Sequence, residues 1–545
     1  EAQDFVNNIQ CKINAQEGNS LPVSAFKDYV DGTTPSGTAA YEKRGIAVNV
    51  PVWVPDNCIQ CNRCAYVCPH AAIRPVAMTA EETANAPEGI KTLPLTGMKD
   101  YTFTMTVSAL DCTGCGSCAN VCPGKKGNKA LEMAPLEANT EEQKFFDYGV
   151  TLPQKEDVIA KYKETTVKGS QFKQPLLEFS GACAGCGETP YAKLITQLFG
   201  DRMYIANATG CSSIWGNSSP STPYTTNAKG QGPAWSNSLF EDNAEFGYGM
   251  LLAQRAIRGG LKEKIEDLVA NGTNEDVKAA GQEWLDTYAV GATNGAATEK
   301  LVAALEACGC DKANEILAQK DFLSKKSQWI FGGDGWAYDI GFGGVDHVLA
   351  SGRDINVMVF DTEVYSNTGG QSSKSTPTGA IAQFAAGGKE TKKKDMASIA
   401  MSYGYVYVAQ ISMGADFNQT VKAIAEAEAY PGPSLIIAYA PCINHGIKKG
   451  MSKAQTEEEL AVKCGYWHNF RFNPAAENKF SLDSKTPDME NYMDFLNGEV
   501  RYNSLQRQNP EKAARLFAKN ESEAQARYEY LQKLITLYGA DKKED

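Results

Sequence analysis

The sequence has few histidines and no long apolar run. Four histidines occur in 545 residues, and their spacing matches no metal-binding or nucleophile motif, so we expect each of them to be structural. No stretch reaches the roughly 18 uninterrupted apolar residues that a membrane-spanning helix requires. The sequence therefore argues against a histidine-based metal site and favours a soluble protein.

Basic residues are also in deficit. Lys and Arg number 53 against 65 Asp and Glu, which gives a net charge of −12 and an isoelectric point near 5.1. Nucleic acids and anionic membranes attract proteins through clustered Lys and Arg. The charge balance therefore argues against both as partners.

The sequence also lacks a leader with a charged and then an apolar segment. It begins at Glu1, which indicates a processed or excised piece with a segment missing upstream. Without a secretory signal the cysteines are expected to stay reduced, and we expect a cytoplasmic protein. A chain of 545 residues exceeds what one core usually serves, so we predict two to four domains.

Cysteine, by contrast, is abundant. Most of the 16 cysteines lie in Cys-x-x-Cys strings, and one string is repeated after about 54 residues. Each copy reads Cys-x2-Cys-x2-Cys-x3-Cys-Pro: Cys58, Cys61, Cys64, Cys68 and Pro69 in the first, and Cys112, Cys115, Cys118, Cys122 and Pro123 in the second. Three closely spaced thiolates can bind one iron–sulfur cluster, whereas the fourth, beyond the proline turn, reaches the neighbouring cluster.

The spacing therefore predicts two [4Fe–4S] clusters with exchanged ligands. One cluster takes Cys58, Cys61, Cys64 and Cys122, and the other takes Cys112, Cys115, Cys118 and Cys68. A pair of zinc sites is the alternative, but the third cysteine and the proline of each string fit zinc poorly. The region resembles a bacterial two-cluster ferredoxin domain, which relays single electrons. The basic residues after the second string indicate either a docking site for an acidic ferredoxin or a solvated loop: Lys125, Lys126 and Lys129.

A third group of cysteines is less regular. Cys183 and Cys186 lie on a Gly-rich turn, Cys211 lies in Ala-Thr-Gly-Cys-Ser-Ser, and Cys442 follows an apolar run at 434–438. Because a ligand at the end of a strand is held rigidly, these four are candidates for a third cluster. The other cysteines stay unassigned, and Cys308-Gly-Cys310 is either a redox pair or two free thiols: Cys11, Cys308, Cys310 and Cys464.

Short apolar runs alternate with helical patterns after about residue 175. The runs lie at 203–206, 328–331, 355–360, 406–410 and 434–438. This alternation predicts an α/β fold with a doubly wound, mostly parallel sheet covered on both faces. A helical insertion is predicted between 255 and 325, and a charged helical tail from about 485 is expected to lie in solvent. The full division is an extended linker arm at 1–40, a small α+β two-cluster domain at 41–155, and the α/β domain at 156–545.

Two of the apolar runs end in residues suited to a magnesium-bound diphosphate. Doubly wound sheets place ligands at the carboxyl ends of their strands. There, Asp334 offers a carboxylate oxygen, Thr362 a side-chain oxygen and Val364 a carbonyl to Mg²⁺. Gly333 and Gly335 allow backbone amides to approach phosphate oxygens. The Gly-Asp-Gly triplet alone is typical of a plain strand-to-helix turn, and the second segment is what favours a ligand site.

Together these motifs resemble the pyruvate:ferredoxin (flavodoxin) oxidoreductase family, specifically the carboxy-terminal half of its long single-chain members. Besides the two strings, the resemblance rests on Cys-Ala-Gly-Cys-Gly-Glu at 183–188, Ala-Thr-Gly-Cys-Ser-Ser at 208–213, Gly-Asp-Gly-Trp at 333–336 and Asp-Thr-Glu-Val-Tyr-Ser-Asn-Thr-Gly-Gly-Gln at 361–371. It implies oxidative decarboxylation of pyruvate with coenzyme A to acetyl-CoA and CO₂. Electrons then pass from thiamine diphosphate through three [4Fe–4S] clusters to ferredoxin or flavodoxin. The alternatives are another 2-oxoacid as substrate, or a non-catalytic electron-transfer protein.

The resemblance also implies residue roles. Cys183, Cys186, Cys211 and Cys442 would bind the cluster nearest the thiamine, and Asn367 would touch the substrate carbonyl or the thiazolium. The residues implied to line the cofactor pocket or bind the diphosphate are Glu188, Cys211, Gly333, Asp334, Gly335, Trp336, Thr362, Glu363, Val364, Tyr365, Ser366 and Asn367.

The family's amino-terminal domains are absent from this sequence. In the family they supply the carboxylate that activates the aminopyrimidine and most contacts to the 2-oxoacid. The expected partners are therefore ferredoxin or flavodoxin, pyruvate, coenzyme A, the amino-terminal half of the enzyme, and a second copy in a homodimer.

Overall fold

The computed structural model of the protein describes residues 2–217 and 221–539. Its strands form one large and two small sheets. The strands are β1 (Asn49–Trp53), β2 (Ile73–Met78), β3 (Leu93–Pro94), β4 (Thr102–Val107), β5 (Leu131–Pro135), β6 (Met203–Ala208), β7 (Ala234–Ser238), β8 (Ser327–Gly333), β9 (Asn356–Asp361), β10 (Tyr407–Ile411), β11 (Ser434–Tyr439), β12 (Phe470–Phe472) and β13 (Phe480–Leu482).

Helices cover both small and large sheets and fill most of the remaining chain. They are α1 (Ala2–Phe5), α2 (Cys11–Asn14), α3 (Arg63–Tyr66), α4 (Ala80–Ala84), α5 (Ser117–Val121), α6 (Glu142–Thr151), α7 (Glu156–Tyr162), α8 (Val167–Ser170), α9 (Thr189–Phe199), α10 (Cys211–Asn217), α11 (Asn243–Asn271), α12 (Glu275–Asp286), α13 (Gly291–Cys308), α14 (Asp311–Leu317), α15 (Phe342–Ala350), α16 (Met396–Met401), α17 (Phe417–Ala429), α18 (Ala454–Lys463), α19 (Tyr492–Asn497), α20 (Val500–Gln508) and α21 (Pro510–Leu537). Short π-helical turns lie at Val6–Gln10 and Gly335–Ile340.

The large sheet has the strand order β13-β12-β10-β11-β9-β8-β6-β7. The neighbours from β10 to β7 pair in parallel, and β12 and β13 add an antiparallel edge. Alternate residues of each strand enter the hydrophobic cores on opposite faces: Val357 and Val359 of β9 on one face, Met358 and Phe360 on the other. The predicted mostly parallel sheet with two covered faces is confirmed. It could be predicted because strands buried on both faces read as continuous apolar runs.

The two small sheets make up the α+β unit near the amino end. Strand β1 pairs with β5, and β4 lies between β2 and β3, all antiparallel. This unit is in contact with the large domain: the Tyr66 hydroxyl donates to the Phe417 carbonyl at 2.9 Å, and the Asn120 amide donates to the Thr456 hydroxyl at 2.8 Å. The small domain is thereby fixed against the helices that flank the large sheet.

The first 40 residues differ from the extended arm that the sequence predicts. They form a helix from α1 through Val6–Gln10 to α2 and then short 3₁₀ turns, including Val23–Tyr29. Phe5, Val6 and Ile9 are buried, because their spacing places them on one face of this helix.

The helical insertion begins earlier than expected, since α11 starts at Asn243, and it has its own core around Trp284. The tail also differs from the expected solvated helix, because Leu516, Leu531 and Leu534 of α21 enter the core of the large domain. Among the helices of residues 2–217 and 221–539, none combines the length and apolarity of a membrane crossing.

Candidate iron–sulfur and diphosphate site

Two cavities in the small domain are lined by the two predicted cysteine sets. One small cavity is lined by Cys58, Cys61, Cys64 and Cys122. A second small cavity is lined by Cys112, Cys115, Cys118 and Cys68. In each cavity the fourth cysteine comes from the other string. The structure therefore places each fourth cysteine in the cavity of the other string, and the ligation of two clusters by these sets stays a prediction.

The two strings share one backbone conformation. Gln60 and Asn62 in the first string, and Gly114 and Gly116 in the second, all have left-handed φ values of 55° to 79°. This alternation turns amides toward the sulfurs: Gln60 N–H donates to Cys58 Sγ and Gly114 N–H to Cys112 Sγ, each at 3.3 Å. Amides that converge on one point form an anion-binding nest, which suits thiolates.

The electrostatics of these cavities favour a cationic occupant. Burial raises the pKa of Cys112 to about 12, and it raises the pKa of Cys64 and Cys118 well above the usual value. The charges of neighbouring cysteines add to the rise. Four thiolates in one buried cavity therefore need positive charge between them, which the irons of a cluster supply.

The zinc alternative fits this geometry poorly. Tetrahedral zinc holds each sulfur at about 2.3 Å, which draws the ligands tightly together. Within the described part of the chain, no group of three or more His, Cys, Asp or Glu side chains converges as a single metal ion requires. Two sets of four cysteines, each lining one cavity and drawn from both strings, fit two clusters better.

The third cysteine set is assembled from loops of the large domain. Gly187 N–H donates to the Pro441 carbonyl at 3.1 Å, which brings the turn of Cys186 against Cys442. Burial raises the pKa of Cys442 to about 12, and the nearby charges of Glu188 and Cys183 contribute to the rise. Burial likewise raises the pKa of Cys211, with contributions from Glu188, Cys186 and Cys442. All four cysteines are therefore near one another, with Cys183 exposed.

The turn that carries Cys183 and Cys186 also lies against the second small-domain cavity. That cavity is lined by Cys112, Cys115 and Cys118, together with His70 and Thr113. His70 bridges the same gap, since Nε2 lies 2.9 Å from the Ala182 carbonyl and Nδ1 lies 3.4 Å from the Thr113 hydroxyl. Burial lowers the pKa of His70 to about 4, so the ring is neutral and has the structural role expected from the sequence.

The predicted magnesium ligands converge at the carboxyl ends of β8 and β9. The Thr362 hydroxyl lies 3.1 Å from Asp334 Oδ1 and 3.0 Å from the Val364 carbonyl, and Thr362 N–H donates to Asp334 Oδ1 at 3.2 Å. These three oxygens are a carboxylate, a hydroxyl and a carbonyl, which together suit Mg²⁺. The neighbouring strand ends bring them together, as the sequence predicts.

Asp334 is a fully buried carboxyl group next to a second one, Asp361. Burial and the adjacent charge of Asp361 raise the pKa of Asp334 well above its usual value. Asp361 itself is bonded to Lys393 Nζ at 2.8 Å, whereas Asp334 accepts from the Ser373 hydroxyl at 2.6 Å. A divalent cation at Asp334 would relieve this repulsion, so the donor set fits Mg²⁺.

The two glycines beside Asp334 have different surroundings. A Cβ at Gly335 would lie 2.4 Å from the Tyr365 ring, so this position requires glycine. A Cβ at Gly333 would have no neighbour nearer than the Phe360 carbonyl at 3.9 Å. The backbone of Gly333 is therefore open to a phosphate group.

Glu363 lies beneath the diphosphate loop in a buried ionic network. It has a left-handed φ of 60°, and its carboxylate accepts from Lys393 at 2.9 Å, Arg501 at 2.8 Å and the Tyr466 hydroxyl at 2.6 Å. Although burial raises it, the charges of Lys393 and Arg501 lower the pKa of Glu363 to about 2. Arg501 also donates to Glu499 at 2.7 Å. The network holds the loop from below.

Arg501→Met is expected to lower the free energy of unfolding by about 3–5 kcal/mol, because it leaves two buried carboxylates short of a partner. The measurement is urea denaturation of the purified chain. Arg515→Met is the matched control, since Arg515 forms an exposed pair with Glu390 and should cost about 0–1 kcal/mol. Equal effects of the two substitutions would contradict a structural role for the network.

The remaining predicted site residues lie around these two centres. Glu188 is buried and accepts from the Trp215 indole at 2.7 Å, and burial raises the pKa of Glu188 to about 7. Cys211 Sγ lies 3.1 Å from the Ser366 hydroxyl, which joins the third cysteine set to the diphosphate loop. Trp336 is buried, whereas Asn367 is exposed in the turn that follows Ser366.

Several site residues escaped the reasoning from sequence. Ser373 contacts Asp334, Lys393 neutralises Asp361, and His445 Nε2 lies 2.7 Å from the Thr362 carbonyl. Burial lowers the pKa of His445 to about 3, so its neutral ring donates this bond. Of the residues that sequence reasoning missed, Asp361 is the one with a usable signal, because it stands directly at the end of an apolar run.

Comparison with family models finds three matches. Residues 288–438 match the thiamine pyrophosphate enzyme, C-terminal TPP binding domain, and residues 57–126 match the 4Fe-4S dicluster domain. Residues 1–47 match a domain of unknown function. The first match contains Asp334 and Thr362, and the second contains both cysteine strings.

Curated relatives match nearly the whole chain. A pyruvate-flavodoxin oxidoreductase of Enterobacter agglomerans is 58% identical over 98% of this chain and 46% of its own length. A pyruvate:ferredoxin oxidoreductase of Moorella thermoacetica is 56% identical over 98% of this chain and 46% of its own. The mitochondrial pyruvate dehydrogenase [NADP(+)] of Euglena gracilis is 46% identical over 98% and 29%. The chain thus spans about half or less of the length of these relatives.

One solved structure also aligns with part of the chain. It is a 2-oxoglutarate:ferredoxin oxidoreductase from Magnetococcus marinus, with 15% identity and a TM-score of 0.29 over 49% of this chain and 65% of its own. A similarity this low carries no argument about the fold or the site.

Proposed function

We propose that this chain is the cofactor and electron-transfer half of a pyruvate:ferredoxin (flavodoxin) oxidoreductase, because curated enzymes of that kind match nearly the whole chain over about half of their own length. The proposed reaction is oxidative decarboxylation of pyruvate with coenzyme A to acetyl-CoA and CO₂. Electrons pass through three [4Fe–4S] clusters to ferredoxin or flavodoxin. When bound, thiamine diphosphate supplies the carbanion chemistry, and the clusters supply one-electron relays.

The observation that carries the proposal is the contact between the two centres. Cys211 Sγ lies 3.1 Å from Ser366 Oγ, two residues beyond the Val364 carbonyl that we assign to Mg²⁺. The Cys183–Cys186 turn is next joined to the second small-domain cavity by His70, whose ring lies 2.9 Å from the Ala182 carbonyl and 3.4 Å from the Thr113 hydroxyl. Cys64 and Cys68, four residues apart in the first string, line the two different cavities. These contacts form an unbroken route from the diphosphate loop to the small domain.

Each of the main site residues has a defined task in this proposal. Asp334, Thr362 and Val364 would hold Mg²⁺, and the open backbone at Gly333 would admit the diphosphate. Lys393 compensates the charge of Asp361, so that only Asp334 faces the metal as an unpaired carboxylate. Asn367, exposed beside this loop, would face the substrate.

The activity also requires residues from elsewhere. The curated relatives are about twice as long as this chain, so we propose that their amino-terminal half supplies the carboxylate for the aminopyrimidine and most contacts to pyruvate. We assign the clusters to a small domain at 41–155 and a larger domain at 156–545. A homodimer remains a prediction.

Anaerobic iron and sulfide analysis with EPR of the reduced chain tests this proposal. About 12 irons per chain, with the signals reduced by pyruvate when the amino-terminal half and thiamine diphosphate are supplied, would support it. About eight irons without reduction by pyruvate would instead favour a plain electron carrier. Failure of the assembled enzyme, with the amino-terminal half present, to bind thiamine diphosphate would exclude the proposed enzyme.

The small domain also offers a surface for the electron acceptor. Lys125 and Lys126 are exposed beside Cys122, and the side chain of Ile59, next to Cys58, is 50% exposed. Lys129 has a different role, since its Nζ donates to the Cys122 carbonyl at 2.7 Å and holds that loop. We propose that an acidic ferredoxin or flavodoxin docks on the first two lysines.

Charge reversal of Lys125 and Lys126 to Glu is expected to raise the KM for ferredoxin about tenfold at low ionic strength, because electrostatic steering is lost. The measurement is ferredoxin reduction by the assembled enzyme at two salt concentrations. The matched control is Lys485→Glu with Lys533→Glu, two exposed lysines of the carboxy-terminal region. A KM that stays unchanged, or that rises equally in the control, would leave the surface without this role.

A further inference from the structure

Lys193 is a buried cation without a carboxylate partner. Lys193 lies on α9 and is only 2% exposed, and its Nζ donates to the Ala65 carbonyl. Among the described residues, Nζ approaches one other acceptor, Gln171 Oε1, at 3.4 Å. Within residues 2–217 and 221–539, no Asp or Glu forms an ion pair with it.

The ammonium is bonded to the segment of the first string that joins the two cysteine sets. Ala65 is on α3, directly after Cys64 and three residues before Cys68. These two cysteines line different cavities. Burial lowers the pKa of Lys193 to about 8; the charge of Cys68 opposes that decrease, the charge of Arg74 adds to it, and the charge of Cys64 opposes it.

An unpaired buried ammonium is costly, by several kcal/mol even after relaxation. Proteins usually keep such a group only where an opposite charge faces it. The nearest candidates here are the thiolates of the two clusters. A [4Fe–4S] cluster with four thiolates carries net negative charge, and reduction adds one more negative charge.

We propose that Lys193 is the shared counter-cation of both small-domain clusters and raises the reduction potential of each. The inference rests on the proposed function, since it requires both clusters. A positive charge near a cluster stabilises its reduced state more than its oxidised state, because the reduced cluster is more negative. Lys193 therefore favours movement of electrons from the large domain into the small domain.

The position of α9 fits this role. The helix starts directly after Glu188, beside Cys186 of the third set, and carries Lys193 into the small domain. Three substitutions separate the effect of charge from that of packing. Lys193→Met and Lys193→Gln remove the charge, and Lys193→Gln keeps a donor for the Ala65 carbonyl. Lys193→Arg keeps the charge. Lys326 is the matched control, since it is half-buried and its Nζ bonds only Ser324, at 3.4 Å.

The experiment is an anaerobic redox titration of the full chain, monitored by EPR, after cluster reconstitution. Lys193→Met and Lys193→Gln are expected to lower the one-electron reduction constant of both small-domain clusters at least tenfold, which is about 59 mV. The reduction constant of the third cluster should stay within about threefold of the wild type in every variant. In Lys193→Arg and Lys326→Met, the reduction constants of the small-domain clusters should also stay within about threefold. Iron content of every variant is measured in parallel.

Unchanged potentials in Lys193→Met with full iron content would overturn the inference. So would a shift of equal size in Lys193→Arg, because that result indicates packing rather than charge. Loss of small-domain iron in both neutral variants but not in Lys193→Arg would support it, whereas loss in all three would overturn it. Absence of these clusters from the wild-type chain would instead count against the proposed function.

Discussion

Asp334→Asn is expected to lower the affinity of the chain for thiamine diphosphate in the presence of Mg²⁺ by on the order of 100-fold or more. The substitution removes the one unpaired carboxylate at the carboxyl ends of β8 and β9, while Thr362 and Val364 keep their places. The measurement is isothermal titration calorimetry of the Mg²⁺-dependent binding. The assembled enzyme should lose its pyruvate-dependent activity to the same degree.

The loss of affinity should not come from unfolding. The folded-state pKa of Asp334 is raised by burial and by Asp361, so without a metal its charged form destabilises the fold as pH rises above the usual Asp value. Asn removes that penalty, and the free energy of unfolding of the metal-free variant at pH 7 should equal or exceed that of the wild type. Asp354→Asn, before the start of β9, is the matched control and should bind normally. Unimpaired Mg²⁺-dependent binding by Asp334→Asn would remove Asp334 from the metal site.

Cys442→Ala is expected to remove the third cluster alone. Iron should fall from about 12 to about eight per chain, and pyruvate-dependent ferredoxin reduction should drop by at least about 100-fold. The reason is that Cys442 closes the set formed with Cys183, Cys186 and Cys211, next to the diphosphate loop. The EPR signals of the two small-domain clusters should persist.

Cys464→Ala provides the control for this experiment. Cys464 is also buried, but it packs in the hydrophobic core of the large domain, its thiol donates to the Ala461 carbonyl at 3.6 Å, and it lies in none of the three sets. It should keep all of the iron. If Cys442→Ala also kept all of its iron, the third set would consist of free thiols.

The strands and the two cysteine strings could be predicted because their signals are local. The apolar run at 355–360 becomes β9 at Asn356–Asp361, since a strand buried on both faces is apolar at most of its positions. The string spacing likewise fixes which cysteine crosses to the other cavity. Asp334 and Thr362 were found because each directly follows a strand, and neighbouring strand ends meet.

Contacts between distant segments could not be predicted in this way. Lys193 meets Ala65 across 128 positions, and Ser373 meets Asp334 across 39, and neither residue stands in a motif. The charged residues of α21 concealed its buried stripe, because nine of its 28 residues are Lys, Arg or Glu, while leucines such as Leu531 occupy one face. The first helix was missed because Gly and Ser downstream outweighed a short apolar pattern.

The crossing of Cys68 and Cys122 has a consequence for biogenesis. Neither cysteine string contains all the ligands of a cavity, so a nascent chain cannot complete a cofactor until both strings have been synthesised. Under the proposed function, the first cluster to be inserted would tie the two strings together and bring the remaining four cysteines close to their final places. Insertion of the second cluster would then carry a smaller entropic cost. The small domain would mature as a single unit, and chains short of iron would divide into filled and empty molecules.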